Sequence, residues 1–213
     1  MQNLIQITNV LGPIGTNCYT VVNTDTREAA IVDPAARGDF LKNLYDNQNI
    51  HPVAILLTHG HADHIGAVDQ LRKLYPEIKV YAAKEEQALL ADPMKNLSEM
   101  FGQAYSISAD VWLSDGEEID LLGTKVRCIL TPGHTAGGMC FYFEENKMLY
   151  AGDTIFFESI GRTDYPTGDE SALGESIREK IFTLPEDTVI CTGHYAKTTV
   201  GHEKENNPYV EFL

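Results

Sequence analysis

The chain has 213 residues, 43% of them apolar, enough for one well-filled core, and it holds no run of about 18 apolar residues that could form a transmembrane helix. With 16 basic and 31 acidic residues the net charge is −15, which argues against nucleic acid as a partner, because that affinity rests on Lys and Arg contacts to phosphate. The opening stretch Met1 to Ile7 has neither basic residues nor a long apolar segment, so it reads as a strand and not as a signal peptide.

In chain order, strand-like runs are expected at Leu4–Ile7, Cys18–Asn23 and Ala29–Val32, the last closed by Asp33-Pro34. Phe40, Leu41, Leu44 and Tyr45 recur at helical spacing after Gly38-Asp39. Val53–Leu57 is apolar and partly β-branched, a buried strand, and Ile65, Val68, Leu71 and Leu74 then mark an amphipathic helix. Val80–Ala82 is a further strand. Asp92-Pro93 breaks a helix begun near Lys84. Met94, Leu97, Met100 and Phe101 recur at helical spacing and Gly102 can end that turn. A core-covering helix is expected there, with an apolar flap beside a binding site as the functional alternative. Strands follow at Glu118–Leu122, Val126–Leu130, Met139–Phe143, Met148–Ala151 and Val189–Cys191. Leu173, Ile177 and Ile181 form a helical stripe that Asp169 or Ser171 can cap. Strands fall in two batches, each followed by helix, which suits an α/β (α+β) fold of two packed sheets with helices outside. No linker, repeat or low-complexity tract divides the chain, so residues 1–213 are expected to form one domain.

The segment Thr58-His59-Gly60-His61-Ala62-Asp63-His64 lies on the turn leaving a strand, the edge where α/β folds build ligand sites. His59 and His61 are two apart on extended chain, so both side chains point to one side and can meet one metal ion. Asp63 and His64 come where the chain curls into helix and can reach a second ion. Neutral imidazole with carboxylate suits zinc, iron or manganese. Three later strands each end in glycine followed by a ligand-type residue: Pro132-Gly133-His134, Gly152-Asp153 and Gly193-His194. Cys18, Cys128, Cys140 and Cys191 are far apart with no Cys-x-x-Cys pair, and are expected as buried free thiols of a cytoplasmic protein.

His-x-His-x-Asp-His, then Pro-Gly-His, Gly-Asp and a last Gly-His, in this order over nearly the whole chain, resembles the metallo-β-lactamase-fold hydrolases. The resemblance is nearest the glyoxalase II-like, or hydroxyacylglutathione hydrolase, branch, which has loops like Gly161–Asp169 and Thr198–Pro208. It implies an αββα sandwich of two mixed β-sheets. It also implies that His59, His61 and His134 bind one metal, that Asp63, His64 and His194 bind another, and that Asp153 bridges the two divalent ions, with zinc first among the candidates. Two such metals about 3.5–4 Å apart lower the pKa of a shared water, and the hydroxide attacks a carbonyl carbon. Asp63, besides ligating, would orient that hydroxide or take its proton.

The expected activity is cleavage of a small acyl thioester of the S-lactoylglutathione kind. Arg162, in the loop that matches the branch, would hold a substrate carboxylate, or else pair locally with Asp164 or Asp169. Tyr165 would line the same pocket or pack the loop. Tyr195 and Ala196 stand where short relatives often show Gly-Pro, and Tyr195 would fill part of the pocket or offer a hydroxyl to the oxyanion. The chain ends at Leu213 with no basic residue after Lys204. It therefore departs from larger glyoxalase II enzymes, whose C-terminal helical extension grips glutathione. Persulfide dioxygenases, with one iron and molecular oxygen, share the Gly161–Asp164 loop and the Lys180–Pro185 segment and form the alternative. The run His194–Thr199 lies nearer the hydrolase form. No membrane or nucleic-acid partner is expected.

Overall fold

Alternation within the strands decides the layering. In the computed structural model, which describes residues 3–209, the first half of the chain forms β1 (Leu4–Leu11), β2 (Thr16–Asn23), β3 (Glu28–Val32), α1 (Gly38–Gln48), β4 (His51–Leu56), α2 (Ala62–Ile65), α3 (Val68–Leu74), β5 (Lys79–Ala83), α4 (Gln87–Leu90) and β6 (Val111–Leu113). The second half forms β7 (Glu118–Leu121), β8 (Thr124–Leu130), β9 (Met139–Phe143), β10 (Met148–Gly152), the small hairpin β11 (Ile155–Phe156) and β12 (Ser159–Ile160), α5 (Glu170–Ser176), β13 (Val189–Thr192), β14 (Thr198–Thr199) and α6 (Val200–Asn206). Of the terminal segments read from sequence, Met1, Gln2 and residues 210–213 lie outside the described residues.

The first sheet runs β1-β2-β3-β4-β5-β6, antiparallel across β1 to β3 and parallel from β3 to β6. The second runs β14-β13-β10-β9-β8-β7, with only β10 and β13 parallel. Both sheets are mixed, as expected. Successive side chains in a strand point to opposite faces. Tyr19, Val21, Ala30, Val32, Ala54 and Leu56 therefore meet Val126, Cys128, Phe141, Phe143 and Tyr150 between the sheets. Their neighbours Cys18, Val22, Ile31 and Ile55 turn outward onto Leu41, Tyr45, Val68 and Leu71 of α1 and α3. On the opposite face Ile129, Cys140, Tyr142 and Leu149 turn onto Leu173, Ile177 and Ile181. The result is helix, sheet, sheet, helix. All four cysteines are free and buried. Among the described residues no helix is long and apolar enough to cross a membrane.

Three expectations about elements need correction, and one helix went unread. The helix over Ile65–Leu74 is split into α2 and α3, because the Ala67 N–H leaves the helical ladder and donates to Pro34 O at 2.8 Å. A Cβ on Gly66 would lie 2.3 Å from Ala35 O, so only glycine allows the close approach at this break. The stripe Leu173–Ile181 is α5 followed by a π turn over Ile177–Ile181, with Asp169 Oδ1 capping Ala172 N at 3.0 Å. The segment after Pro93 is not a core-covering helix but irregular chain with one short 3-10 turn, Ser98–Phe101. The Asn96 side chain takes over the local backbone there, accepting from Ser98 N at 2.9 Å and donating to Tyr105 O at 2.9 Å, which competes with helix formation. Only Leu97 of the apolar set is buried, whereas Met94, Met100 and Phe101 are exposed. Finally, α6 was not legible as a helix. Thr199 starts it by accepting from His202 N at 3.2 Å.

Candidate metal centre

The two sheets meet edge to edge at one end of the sandwich. Met139 N donates to Thr58 O at 2.8 Å and Asn17 N to Gly193 O at 2.7 Å, so the C-terminal ends of β4 and β13 are stitched across the sheets. His59 and His61 follow β4, and Asp63 and His64 open α2. His134 follows β8, Asp153 follows β10 and His194 follows β13. All seven residues read from the sequence converge here. The side-chain donor atoms of His59, His61 and His134 lie within 4.8 Å of one another, and so do those of Asp63, His64 and His194. Asp153 stands between the groups. Its Oδ2 is 3.6 Å from His134 Nε2 and 3.5 Å from His194 Nε2, and its Oδ1 is 3.4 Å from His64 Nε2. Asp63 Oδ2 is 3.3 Å from Nε2 of both His64 and His194.

Glycine makes these approaches possible. Gly193 packs so closely that a Cβ there would lie 2.0 Å from Asp153 Oδ1. Gly152 has φ +50°, and a Cβ on it would lie 2.2 Å from Thr58 Oγ1.

The rings are held from behind. His64 Nδ1 is 2.9 Å from Asp33 Oδ2, and His134 Nδ1 is 2.7 Å from Arg162 O. His59 Nδ1 is 3.2 Å from Thr58 Oγ1. Asp33 also accepts from Thr58 N at 2.8 Å and Thr58 Oγ1 at 2.6 Å. Its oxygens are close enough to His59 and His64 to count as a third donor group. Both are already hydrogen-bonded, which makes Asp33 an orienting acceptor. Glu86 acts similarly on the loops, accepting from Gly60 N and Gly137 N, both at 2.8 Å. Burial pushes its carboxyl up to about 7, against the pull of those two N–H groups. Asp33 and Glu86 escaped sequence reading. Asp33 closes the strand next to β4 at the same sheet edge, and that was the one signal for it.

What the arrangement can hold follows from its unsatisfied atoms. Among the described residues Nε2 of His59 and His64 and Oδ1 of Asp153, all in these donor groups, are buried without a hydrogen-bond partner. Buried polar groups are nearly always paired, so orphans pointing into one space call for an ion. His61 Nδ1 and His134 Nε2 lie 3.0 Å apart, two ring nitrogens aimed at one point. Burial, reinforced by the neighbouring imidazoles, lowers the pKa of His59 well below its usual value and that of His61 to about 3. Both rings are thus neutral, the ligating form. Around the second group the balance reverses. Burial pushes His64 and His194 down, but the carboxylates win: Asp63 and Asp153 hold His64 well above its usual value and hydrogen bonds to Asp153 and Asp63 bring His194 to about 9. Burial likewise pushes Asp63 and Asp153 up, and the histidines beside them hold both below the usual carboxylate range. Two histidine and carboxylate groups sharing Asp153 fit a binuclear centre of divalent ions.

The centre opens into a cavity of about 460 Å³, within the range of small-molecule sites. Arg162, Tyr165 and Tyr195 all line it. The Arg162 guanidinium is paired with both Asp164 oxygens at 2.7 Å and lies 3.9 Å from the centre of the Tyr165 ring, so of the two readings of Arg162 the local pair is formed. Tyr165 sets its ring edge-on to His61 at 5.8 Å, and Tyr195 sets its ring edge-on to Phe156 at 5.9 Å. Cys191, three residues before His194, is buried with its thiol pushed up to about 12, which removes it as a nucleophile.

Comparison with known proteins agrees with this geometry. The family model described as the Metallo-beta-lactamase superfamily matches residues 11–194. The chain is 34% identical to the hydroxyacylglutathione hydrolase GloC of Haemophilus influenzae, over 91% of this chain and 92% of that one. Among solved structures it matches the BLEG-1 B3 metallo-beta-lactamase with a TM-score of 0.91 and 38% identity, covering 97% of this chain and 99% of that one. It matches TTHA1623 in a di-iron-bound form with a TM-score of 0.84 and 31% identity, covering 95% and 99%.

Proposed function

Because the chain belongs to the metallo-beta-lactamase superfamily, we propose that it is a binuclear metal-dependent hydrolase that cleaves a small acyl thioester. One observation carries the reading: two His/Asp donor groups open into one cavity and Asp153 reaches both, at 3.4 to 3.6 Å. His59, His61 and His134 would hold one ion, Asp63, His64 and His194 the other, and Asp153 would bridge them. Bound ions there supply a water of lowered pKa and a Lewis acid for the carbonyl oxygen. Zinc is proposed first, since imidazole and carboxylate donors suit it. Iron is the rival, given the di-iron form of TTHA1623.

The chain's own groups do the rest. Asp63, ionised and fixed by Thr16 Oγ1 at 2.9 Å, would accept a hydrogen bond from the attacking water and aim its lone pair. The water oxygen bonds to the thioester carbon, the C–S bond breaks, and the thiolate leaves with the electron pair while the water proton passes to solvent. Thiolate is a good leaving group, so no strong general acid is required. The cavity walls orient the acyl group, and the ring of Tyr195 would shield the mouth. The likeness to GloC supports the thioester, with S-lactoylglutathione as the first compound to assay. The likeness to BLEG-1 makes β-lactam cleavage the second reading, which uses the same attack on an acyl carbon. The partner proposed is this small molecule alone, and four buried free thiols fit a cytoplasmic setting.

The test is elemental analysis of the purified protein together with turnover. Two metal equivalents and cleavage of S-lactoylglutathione are expected. Oxygen uptake with glutathione persulfide, one iron per chain and no thioester cleavage with any metal would replace the hydrolase by the dioxygenase. Cleavage of a chromogenic cephalosporin in preference to the thioester would favour the second reading.

A further inference from the structure

The cavity beside the metal centre is walled mainly by apolar groups from separate loops: Ile14 between β1 and β2, Leu97, Met100 and Phe101 on the 3-10 turn, and Phe156 and Ile160 on the small hairpin. Three of these are large side chains left open to solvent, Ile14 at 54%, Met100 at 71% and Phe101 at 46%. Leaving such groups exposed at one mouth has no benefit for the core, and contiguous apolar exposure marks a binding surface. Two residues that line the same cavity, Leu97 at φ 67° and Tyr195 at φ 63°, adopt the left-handed conformation that non-glycine residues avoid. Strain of this kind persists where the surroundings hold a functional geometry. Leu97 is buried and anchors the turn, while Met100 and Phe101 project.

The polar side of the cavity offers no free side-chain cation to a charged ligand. Among the described residues, Arg162 is the one Lys or Arg lining it, and its guanidinium is already engaged by Asp164 and Tyr165. The other ionisable lining groups are the histidines and aspartates of the metal centre. A chain of net charge −15 offers no long-range attraction to an anion. A peptide thiol such as glutathione carries two carboxylates, for which no free cation stands ready.

We propose that this cavity selects its substrate by an aliphatic chain on an uncharged thioester, seated against Ile14, Leu97, Met100 and Phe101, in place of the charges of a peptide thiol. As a statement about substrate it rests on the hydrolase reading. The chain-selecting wall is a property of the cavity and can be tested without turnover.

The experiment has two arms on the full chain. In the first, calorimetry measures binding of uncleavable S-alkyl-N-acetylcysteamine thioethers, ethyl, butyl and hexyl, to the metal-free protein. Affinity is expected to rise about two- to fourfold per methylene, the range for apolar surface leaving water in a partly open site. Met100→Ser with Phe101→Ser should flatten that slope, and because both side chains are exposed the fold should tolerate the change. Ile14→Ser, on a different loop, gives an independent second reading of the slope. A flat series in the native protein, or a slope unchanged in both variants, overturns the proposal. In the second arm the metal-loaded protein is given acetyl, butyryl and hexanoyl thioesters of N-acetylcysteamine and S-lactoylglutathione. A kcat/KM that climbs with chain length and exceeds that of S-lactoylglutathione supports the substrate assignment, and preference for S-lactoylglutathione overturns it. A binding slope with no cleavage of any thioester would sink the hydrolase reading while the apolar wall stands.

Discussion

Asp33→Asn is the sharpest probe of how the second donor group is prepared. The substitution keeps the shape of a residue that is 1% exposed. Asp33 Oδ1 accepts from Thr58 N at 2.8 Å, and Oδ2 faces both Thr58 Oγ1 at 2.6 Å and His64 Nδ1 at 2.9 Å. If the asparagine oxygen stays with Thr58 N, its amide N–H₂ faces His64 Nδ1. Two donors cannot share that line. His64 must then carry its proton on Nε2, the atom turned toward Asp63 and Asp153, and lose the lone pair a metal needs. A hydrogen bond to a charged group contributes about 1.5–3 kcal/mol, and losing an acceptor behind a ligating histidine typically costs about 10- to 100-fold in metal affinity. The loss should fall on the position served by Asp63, His64 and His194. His59, His61 and His134 should bind as before. Competition between the protein and a chromophoric chelator, with bound metal counted by elemental analysis, reads both positions. Two metals bound with native affinities by a folded Asp33→Asn protein would refute the argument that Asp33 sets the His64 ring.

Other outcomes follow from the same geometry. His194 has its pKa raised to about 9 in the metal-free protein, so its contribution to stability is complete below the unfolded value of 6.5 and fades as pH rises through about 9, and His64 is shifted in the same direction. The melting temperature of metal-free protein should therefore fall from pH 7 to pH 9, and filling the second position at pH 7 should release protons, seen as a buffer-dependent binding enthalpy. Gly193→Ala should abolish metal binding at both positions, because the new Cβ would lie 2.0 Å from Asp153 Oδ1. Asp153→Ala should do the same by removing the shared carboxylate, and elemental analysis checks both variants. Glu86→Gln should lower the melting temperature, by about 1–3 kcal/mol of stability, because one of the N–H groups of Gly60 and Gly137 would face an amide N–H₂ in place of oxygen. Arg162→Ala should leave both KM and kcat for a carboxylate-bearing thioester little changed, as read by steady-state kinetics, since the guanidinium is already engaged by both Asp164 oxygens at 2.7 Å.

Sequence alone determined the longer strands, the sandwich and the loops that carry the donors, while the short β6, β11, β12 and β14 carried no legible run. Apolar runs such as Cys18–Asn23 and Met139–Phe143 mark strands buried on both faces, and successive side chains take opposite faces because alternation is a local property of the backbone. His59, His61, Asp63 and His64 were legible as a group because neighbours in sequence on one turn stay neighbours in space. His134, Asp153 and His194 were legible only through the order of their motifs, since nothing local brings the ends of β8, β10 and β13 to the end of β4. Tertiary structure decided the rest. Asp33 and Glu86 matter through partners 25 to 51 residues away, Thr58, His64, Gly60 and Gly137, and no spacing rule reports such pairs. Met94, Leu97, Met100 and Phe101 carried helical spacing, yet the Asn96 side chain and the left-handed Leu97 diverted the segment into an exposed turn. The sequence left Arg162 open between a substrate carboxylate and a local pair, and in space it is tied to Asp164. Periodicity records which side chains seek the interior. Which polar groups are left to face one another follows only when the packed sheets bring their edges together.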